Sequence, residues 1–394
     1  MNPNNQHPSP VPPPQGGDGG GYSELLNAIA LTQTKPFQLS ALVQLYREMG
    51  SATAIVENRH RLKELVPDIQ PRLLAALQNL DEPMKRAEIE LEFDLKHHIR
   101  PLCLADPNYP QRLKECDDAP LVLYYCGNAD LNQRYVINII GTRHCTAYGQ
   151  DLIRRFVADL KAVCPQVLIV SGLAYGIDIC AHRQALANGY ETVGVLAHGL
   201  DDLYPAAHRD TAVQMVGHGG LLTEFPTQTQ PIPQNFVQRN RIVAGMSDAC
   251  ILVESAAKGG GLITASISRS YNRDVFAFPG RIGDKVSEGC NNLIRNNGAA
   301  LITSAQDFVL AMGWQTDSLL AQAQQQGIER TLFPNLSPTE QAIVNVLKTN
   351  NDLQVNMLSV QSNIPVARLT ASLFELEMKG VVKMLAGGTY HLLM

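Results

Sequence analysis

Between residues 135 and 303 the chain repeats one pattern, and that pattern leaves few folds open. Short apolar runs come first: YVINIIGT (135–142), VLIVSG (167–172), TVGVLA (192–197), LLTEF (221–225), ACILVES (249–255), DVFAFPG (274–280) and ALIT (300–303). Between most of them the apolar residues recur three and four apart, near 147–162, 177–188, 206–217, 236–245, 262–271 and 288–297. The first set reads as strands and the second as helices. The strands are apolar on both faces, as strands covered by helices on both sides must be. Alternating β and α units of this length predict an α/β fold with a doubly wound, mostly parallel sheet.

The flanks differ in kind. Residues 1–21 are Pro, Gly and polar residues, which bury too little surface to offset ordering entropy, so a disordered tail is expected. Residues 22–95 carry helical spacing and predict a small all-α domain, with Gly50 interrupting one helix and Ser51 capping the next. The segment 96–130 is read as a connection holding one strand, LVLYYCG, and 96–313 as one domain with the alternating region. A Gln-rich stretch, 314–333, reads as a linker, and 334–394 as a second small domain. There Ser337, Pro338 and Glu340 spell a capping box, two more helices follow, and a hairpin closes around Gly387-Gly388. Three helices and a two-stranded wing give the winged-helix order. Its charges balance, with Arg368 and Lys379 set against Glu375 and Glu377, which favours a protein contact or structural role over DNA.

Composition excludes some classes. The formal net charge is −5, so a nucleic-acid surface must be a local patch. The eight cysteines form no C-x-x-C pair and read as reduced thiols. No apolar run reaches the roughly 18 residues of a membrane span, and the N-terminus lacks the order of a signal peptide. A cytoplasmic protein is expected. His97, His98, His198, His208 and His218 lack metal-ligand spacing, so no metal and no cofactor are expected.

In an open parallel sheet ligands sit beyond the carboxyl ends of the strands. The first strand ends in Gly141, Thr142 and Arg143, and the second in SGLAYGID, with Ser171, Gly172 and Gly176. Glycines there admit a close backbone approach. Helix starts at 176 and 262 would offer free amides to an anion, and Lys258 with Gly259, Gly260 and Gly261 could form an anion nest. Arg143 can fork onto a phosphate. Arg239 and Arg241 flank Asn240 and cannot share a helical face, so one is expected on ligand while the other packs. Asp178 and His182, four apart, can pair; the plain expectation is a carboxylate bonded to local amides and a histidine satisfied by it. Glu224 is taken as the sole strand-end carboxylate suited to acid–base work. Walker, nucleophile-elbow and zincin motifs are absent.

Taken in order, GTR, SGLAYGIDICAH, TEFP, FVQRNRIVAGMSDACILVES, GGGLITA, VFAFPG and SEGCNNLIR resemble the DNA-processing protein A (DprA/Smf) family over about 100–305. The resemblance implies an extended Rossmann-like fold that binds single-stranded DNA without catalysing a reaction. It implies a role in natural transformation, protection of incoming strands, loading of the RecA recombinase and a homodimer. Carried over by position, it implies DNA-backbone contacts at Gly141, Thr142, Arg143, Ser171 and Gly172, and an aromatic near a base at Phe236. It also matches Arg239, Asn240 and Arg241 to the family's R-N-R, and Lys258 to Gly261 to its basic-glycine loop. Some members have a Lys shortly before that Phe; here the stretch is QPIPQNF. Few aromatics lie near these loops, so phosphate contacts are expected to dominate. Two other classes compete: a phosphoribohydrolase-type enzyme, which would need a P-G-G-x-G-T loop where KGGGLITA stands, and a protein-binding adaptor.

Overall fold

The computed structural model describes residues 20–34, 39–314, 336–385 and 388–393. They fall into two compact units, divided after Gln315. The expected tail, apart from its last two residues, and the expected linker after Trp314 lie outside the described residues. The first helix starts at Gly20, just inside the expected tail.

The larger unit is built on a nine-stranded sheet. Its strands are β1 (Arg100–Cys103), β2 (Val122–Gly127), β3 (Val136–Ile140), β4 (Leu168–Ser171), β5 (Thr192–Val195), β6 (Gly219–Thr223), β7 (Ala249–Leu252), β8 (Asp274–Ala277) and β9 (Ala300–Leu301). Their order is β1-β2-β6-β5-β4-β3-β7-β8-β9. From β6 to β9 every neighbour is parallel. β2 and β1 add antiparallel at the β6 edge. β1 is the strand the sequence reading missed. It is four residues long, contains Pro101 and lies at the sheet edge, where a missing amide is tolerated.

Register shows why the strands are apolar on both faces. Ile137 and Ile139 join Ile153, Phe156, Val157 and Phe308 in one core. Val136 and Ile140 point the other way, into a core with Leu168, Ile242 and Leu252. Alternate residues of a strand necessarily face opposite layers. The N-terminal helices pack Ile29, Leu42, Ile55 and Leu77 into this second core, so the helical segment shares its core with the sheet. A polar joint reinforces that contact: Glu90 accepts from the Thr227 amide at 2.8 Å and from its hydroxyl at 2.6 Å. Ser51 caps its helix by accepting from the Ala54 amide.

The smaller unit holds helices Pro338–Thr349, Val355–Ser362 and Val366–Met378. Strands Val382–Leu385 and Thr389–Leu392 form the wing, and Leu353–Gln354 adds a third short strand to it. The capping box forms as its sequence predicts: the Glu340 amide donates to Ser337 Oγ at 3.3 Å, and the Ser337 amide to Glu340 at 2.7 Å. Ile343, Leu347, Leu358, Leu369, Leu373 and Tyr390 make its own core.

Candidate nucleic-acid interface

Strand order locates the crevice. From β3 the chain steps through β4 and β5 to β6, then returns to the far side of β3 with β7. The loops leaving β3 and β7 therefore diverge, which makes a topological switch point. They are the GTR loop and the ESAAKGG loop.

Glycines let three backbone segments close in there. Gly176 has φ +79°, and a Cβ on it would stand 2.2 Å from the Thr142 carbonyl oxygen. The Ile177 amide donates to that oxygen at 3.1 Å, and the Thr142 amide donates to the Glu254 carbonyl at 2.8 Å. A Cβ on Gly261 would lie 3.2 Å from Gly141 Cα. Around residues 141–146 three helices begin: Ala147–Val163, Ile177–Ala187 and Gly260–Ser270. The last starts two residues before the expected position. Gly259 is its N-cap, so the glycine amides belong to a helix start rather than to a separate nest. Unpaired amides at a helix start and the positive dipole end favour an anion.

A residue that the sequence reading left out holds this joint. Glu254, buried at the end of β7, accepts from the Thr146 amide at 3.0 Å and from the Thr146 hydroxyl. Glu224 is thus not the sole strand-end carboxylate. Glu224 itself faces Arg241 at 2.5 Å, with both side chains 8% exposed. Burial raises its carboxyl above the ordinary range, with Arg241 opposing.

The expected site residues divide by exposure. Arg143, Lys258 and Gly260 are exposed; Gly141, Thr142, Gly176, Phe236, Asn240 and Gly259 are half-buried. Ser171, Gly172, Arg239, Arg241 and Gly261 are buried. Ser171 Oγ donates to the Ile139 carbonyl at 2.7 Å, and the Gly172 amide to Asp178 at 3.2 Å. Arg239 donates to the carbonyls of Gly172, at 2.7 Å, and Val195, joining the ends of β4 and β5. Burial brings its pKa down to about 10, with Asp178 opposing. Neither arginine of the R-N-R therefore presents its guanidinium to solvent here, and Asn240 accepts from Arg239 Nε at 3.4 Å.

The expected Asp178–His182 pair does not form. Asp178 bonds the local amides of Gly172 and Ala174 as expected. His182 instead donates through Nδ1 to Thr192 Oγ1 at 2.7 Å, since that hydroxyl itself donates to the Ile169 carbonyl. Burial holds the imidazole neutral, with a pKa near 3.

Aromatic rings also gather at this edge, more than expected. Arg143 lies over the Phe236 ring at 5.2 Å, and Tyr204 meets Phe236 edge-on at 5.9 Å. Tyr175 meets His208 at 4.9 Å. The loop after β8 adds exposed Arg281 and Lys285, two cations that the sequence reading did not single out. Among the described residues no group of three His, Cys, Asp or Glu is placed to hold a metal, and no helix is long and apolar enough to cross a membrane.

Comparison with known proteins agrees with this architecture. The family model described as DNA recombination-mediator protein A matches residues 100–313, and the one described as DprA winged helix domain matches 330–388. DNA processing protein DprA of Streptococcus pneumoniae is 39% identical over 206 residues, 52% of this chain and 72% of that protein. Protein Smf of Escherichia coli is 31% identical over 338 residues, 80% of this chain and 86% of that protein. The X-ray structure of DprA from Streptococcus pneumoniae superposes with a TM-score of 0.55 at 32% identity, covering 69% of this chain and 97% of that one.

Proposed function

Because the chain belongs to the DNA recombination-mediator protein A family, we propose that it binds single-stranded DNA along the carboxyl edge of its sheet, without catalysing a reaction. The observation that carries this reading is the GTR loop, bracketed by helix starts at Ile177 and Gly260, with Arg143 and Lys258 exposed beside them. Several anion cradles in a row suit a chain of phosphates better than one nucleotide. Arg143 and Lys258 meet phosphates, the strand passes close to the backbone at Gly141, Thr142, Gly176, Gly259 and Gly260, and Phe236 lies near a base. Ser171, Gly172, Arg239, Asn240, Arg241 and Gly261 hold these groups in place.

The strand-end carboxylates support a binder over an enzyme. Glu224 pairs with Arg241 and Glu254 with Thr146, so each carboxylate has a structural partner. Handing the strand to RecA during natural transformation, pairing as a homodimer and residence in the cytoplasm belong to this reading, on the strength of the family resemblance. Fluorescence anisotropy with a labelled single strand tests it. Affinity is expected to fall steeply with salt, and Arg143→Ala to weaken all sequences about equally. Affinity that neither salt nor that change alters would sink the reading.

A further inference from the structure

The larger unit leaves four aromatic side chains strongly exposed among its described residues: Tyr22, Tyr148, Tyr175 and Tyr204. Three of them lie at the carboxyl edge of the sheet. Tyr148 has a local reason to be there, since its hydroxyl donates to the Pro279 carbonyl at 3.0 Å. Among the described residues no comparable bond anchors the hydroxyls of Tyr175 and Tyr204.

Tyr175 and Tyr204 are each 47% exposed. They rise from the loops after β4 and β5, which are neighbours in the sheet. Each ring is held by a second, better buried ring. His208, 4% exposed, packs against Tyr175 at 69° and is itself fixed by a bond from Nδ1 to the Leu173 carbonyl at 2.9 Å. Phe236 packs against Tyr204 at 67°. The Tyr204 backbone is fixed too: its amide donates to His198 Nε2 at 3.1 Å. These rings are therefore ordered before any ligand arrives, with much of their surface in water.

Charge shows what such surfaces can meet. Asp201 and Asp202 are exposed on the same loop as Tyr204. Carboxylates on that loop repel phosphate, while the face of a nucleobase is uncharged and stacks on any aromatic. Resting on the single-strand reading above, we propose that Tyr175 and Tyr204 are stacking contacts for unpaired nucleobases, so that the edge holds bases as well as phosphates. A duplex, whose base faces are covered, cannot use them.

The test compares two strands of equal length, one with ordinary bases and one of abasic residues, on the full chain. Wild-type protein is expected to bind the ordinary strand more tightly. Tyr175→Ala with Tyr204→Ala should lower that affinity by about 30-fold, the lower end for two stacked bases, leaving abasic affinity and the salt slope unchanged. Tyr→Phe at both positions should keep the difference, and circular dichroism checks that each variant is folded. Equal wild-type affinity for the two strands overturns the stacking proposal alone, as does an equal loss on both strands in the folded Ala variant. Binding of neither strand overturns the reading beneath it.

Discussion

Two regions of this chain have the form of a DNA reader, and they differ in their means. The loop edge of the sheet offers helix starts, close-packed glycines, exposed Arg143, Lys258, Arg281 and Lys285, and ordered rings. Helix Val366–Met378, where a winged helix would read a groove, offers another surface. Val366, Phe374 and Met378 stand 45%, 64% and 75% exposed, at spacings of four or multiples of four that put them on one face. Arg368 sits near its start, and Glu375 and Glu377 lie between the apolar residues near its end. Phosphate needs several cations in a row; beside this apolar face Arg368 stands against two carboxylates. A fold that elsewhere binds DNA does not assign that role, and the side chains have to.

The largest effect should come from removing the cations of the edge. Arg143→Ala with Lys258→Ala removes two charge-assisted contacts of roughly 1.5 kcal/mol each, or about 100-fold in affinity. The salt slope should flatten by about 0.7 per residue. Unchanged binding would break the contrast between the regions.

Next in size is Gly176→Ala. The new Cβ meets the Thr142 carbonyl at φ +79°, and about 2 kcal/mol of stability should be lost. Chemical denaturation measures this. A neutral outcome would show that the GTR loop and the helix start are not packed as described.

One carboxyl in each unit should also respond to pH, and the two have opposite signs. Burial, then the neighbouring Glu90 carboxylate, raises Asp94 to about 8 against the pull of Arg86. Neither of its oxygens has a hydrogen-bond partner among the described residues. The folded unit binds that proton more tightly than the unfolded chain. The contribution of Asp94 to stability is therefore fullest below the ordinary carboxylate range and is lost as pH rises toward 8, by up to ~1.4 kcal/mol per pH unit, while neutral His182 contributes with the opposite sign below the ordinary imidazole range. Glu340 in the smaller unit behaves in reverse. Lys379, then the Ser337 amide, hold it below its usual range, so stability is present above that range and lost as pH falls through its folded value. Trp314, the one tryptophan, stacks on Tyr135 and reports the larger unit. In Asp94→Asn, melts followed by its fluorescence should lose the Asp94 component, read as the difference between the two pH profiles.

The smallest effect should follow Phe374→Ser with Met378→Ser. Single-strand affinity is expected to stay within about twofold, since no phosphate contact is lost. A tenfold loss would move the interface to the smaller unit.

Much of the fold was legible because strands buried on both faces must be mostly apolar, and β3 to β8 are, with Asn138 the polar residue inside β3. β1 was not, since Pro101 argues against a strand until an edge position is known. In the site, glycines and helix starts could be read locally. Burial of Arg239 could not, because its partners, the carbonyls of Gly172 and Val195, come from two strands distant in the chain. For the same reason His182 found Thr192 instead of Asp178. Arg281 and Lys285 belong to a loop with no motif, and only sheet order brings them to the edge.

Photocrosslinking maps the contact most directly. A single strand carrying 5-bromodeoxyuridine, irradiated on the full chain and followed by peptide mapping, should attach within 141–148, 171–177, 199–205, 233–240 and 256–262. Attachment concentrated in 366–392, with the sheet-edge peptides unmodified, would contradict the account.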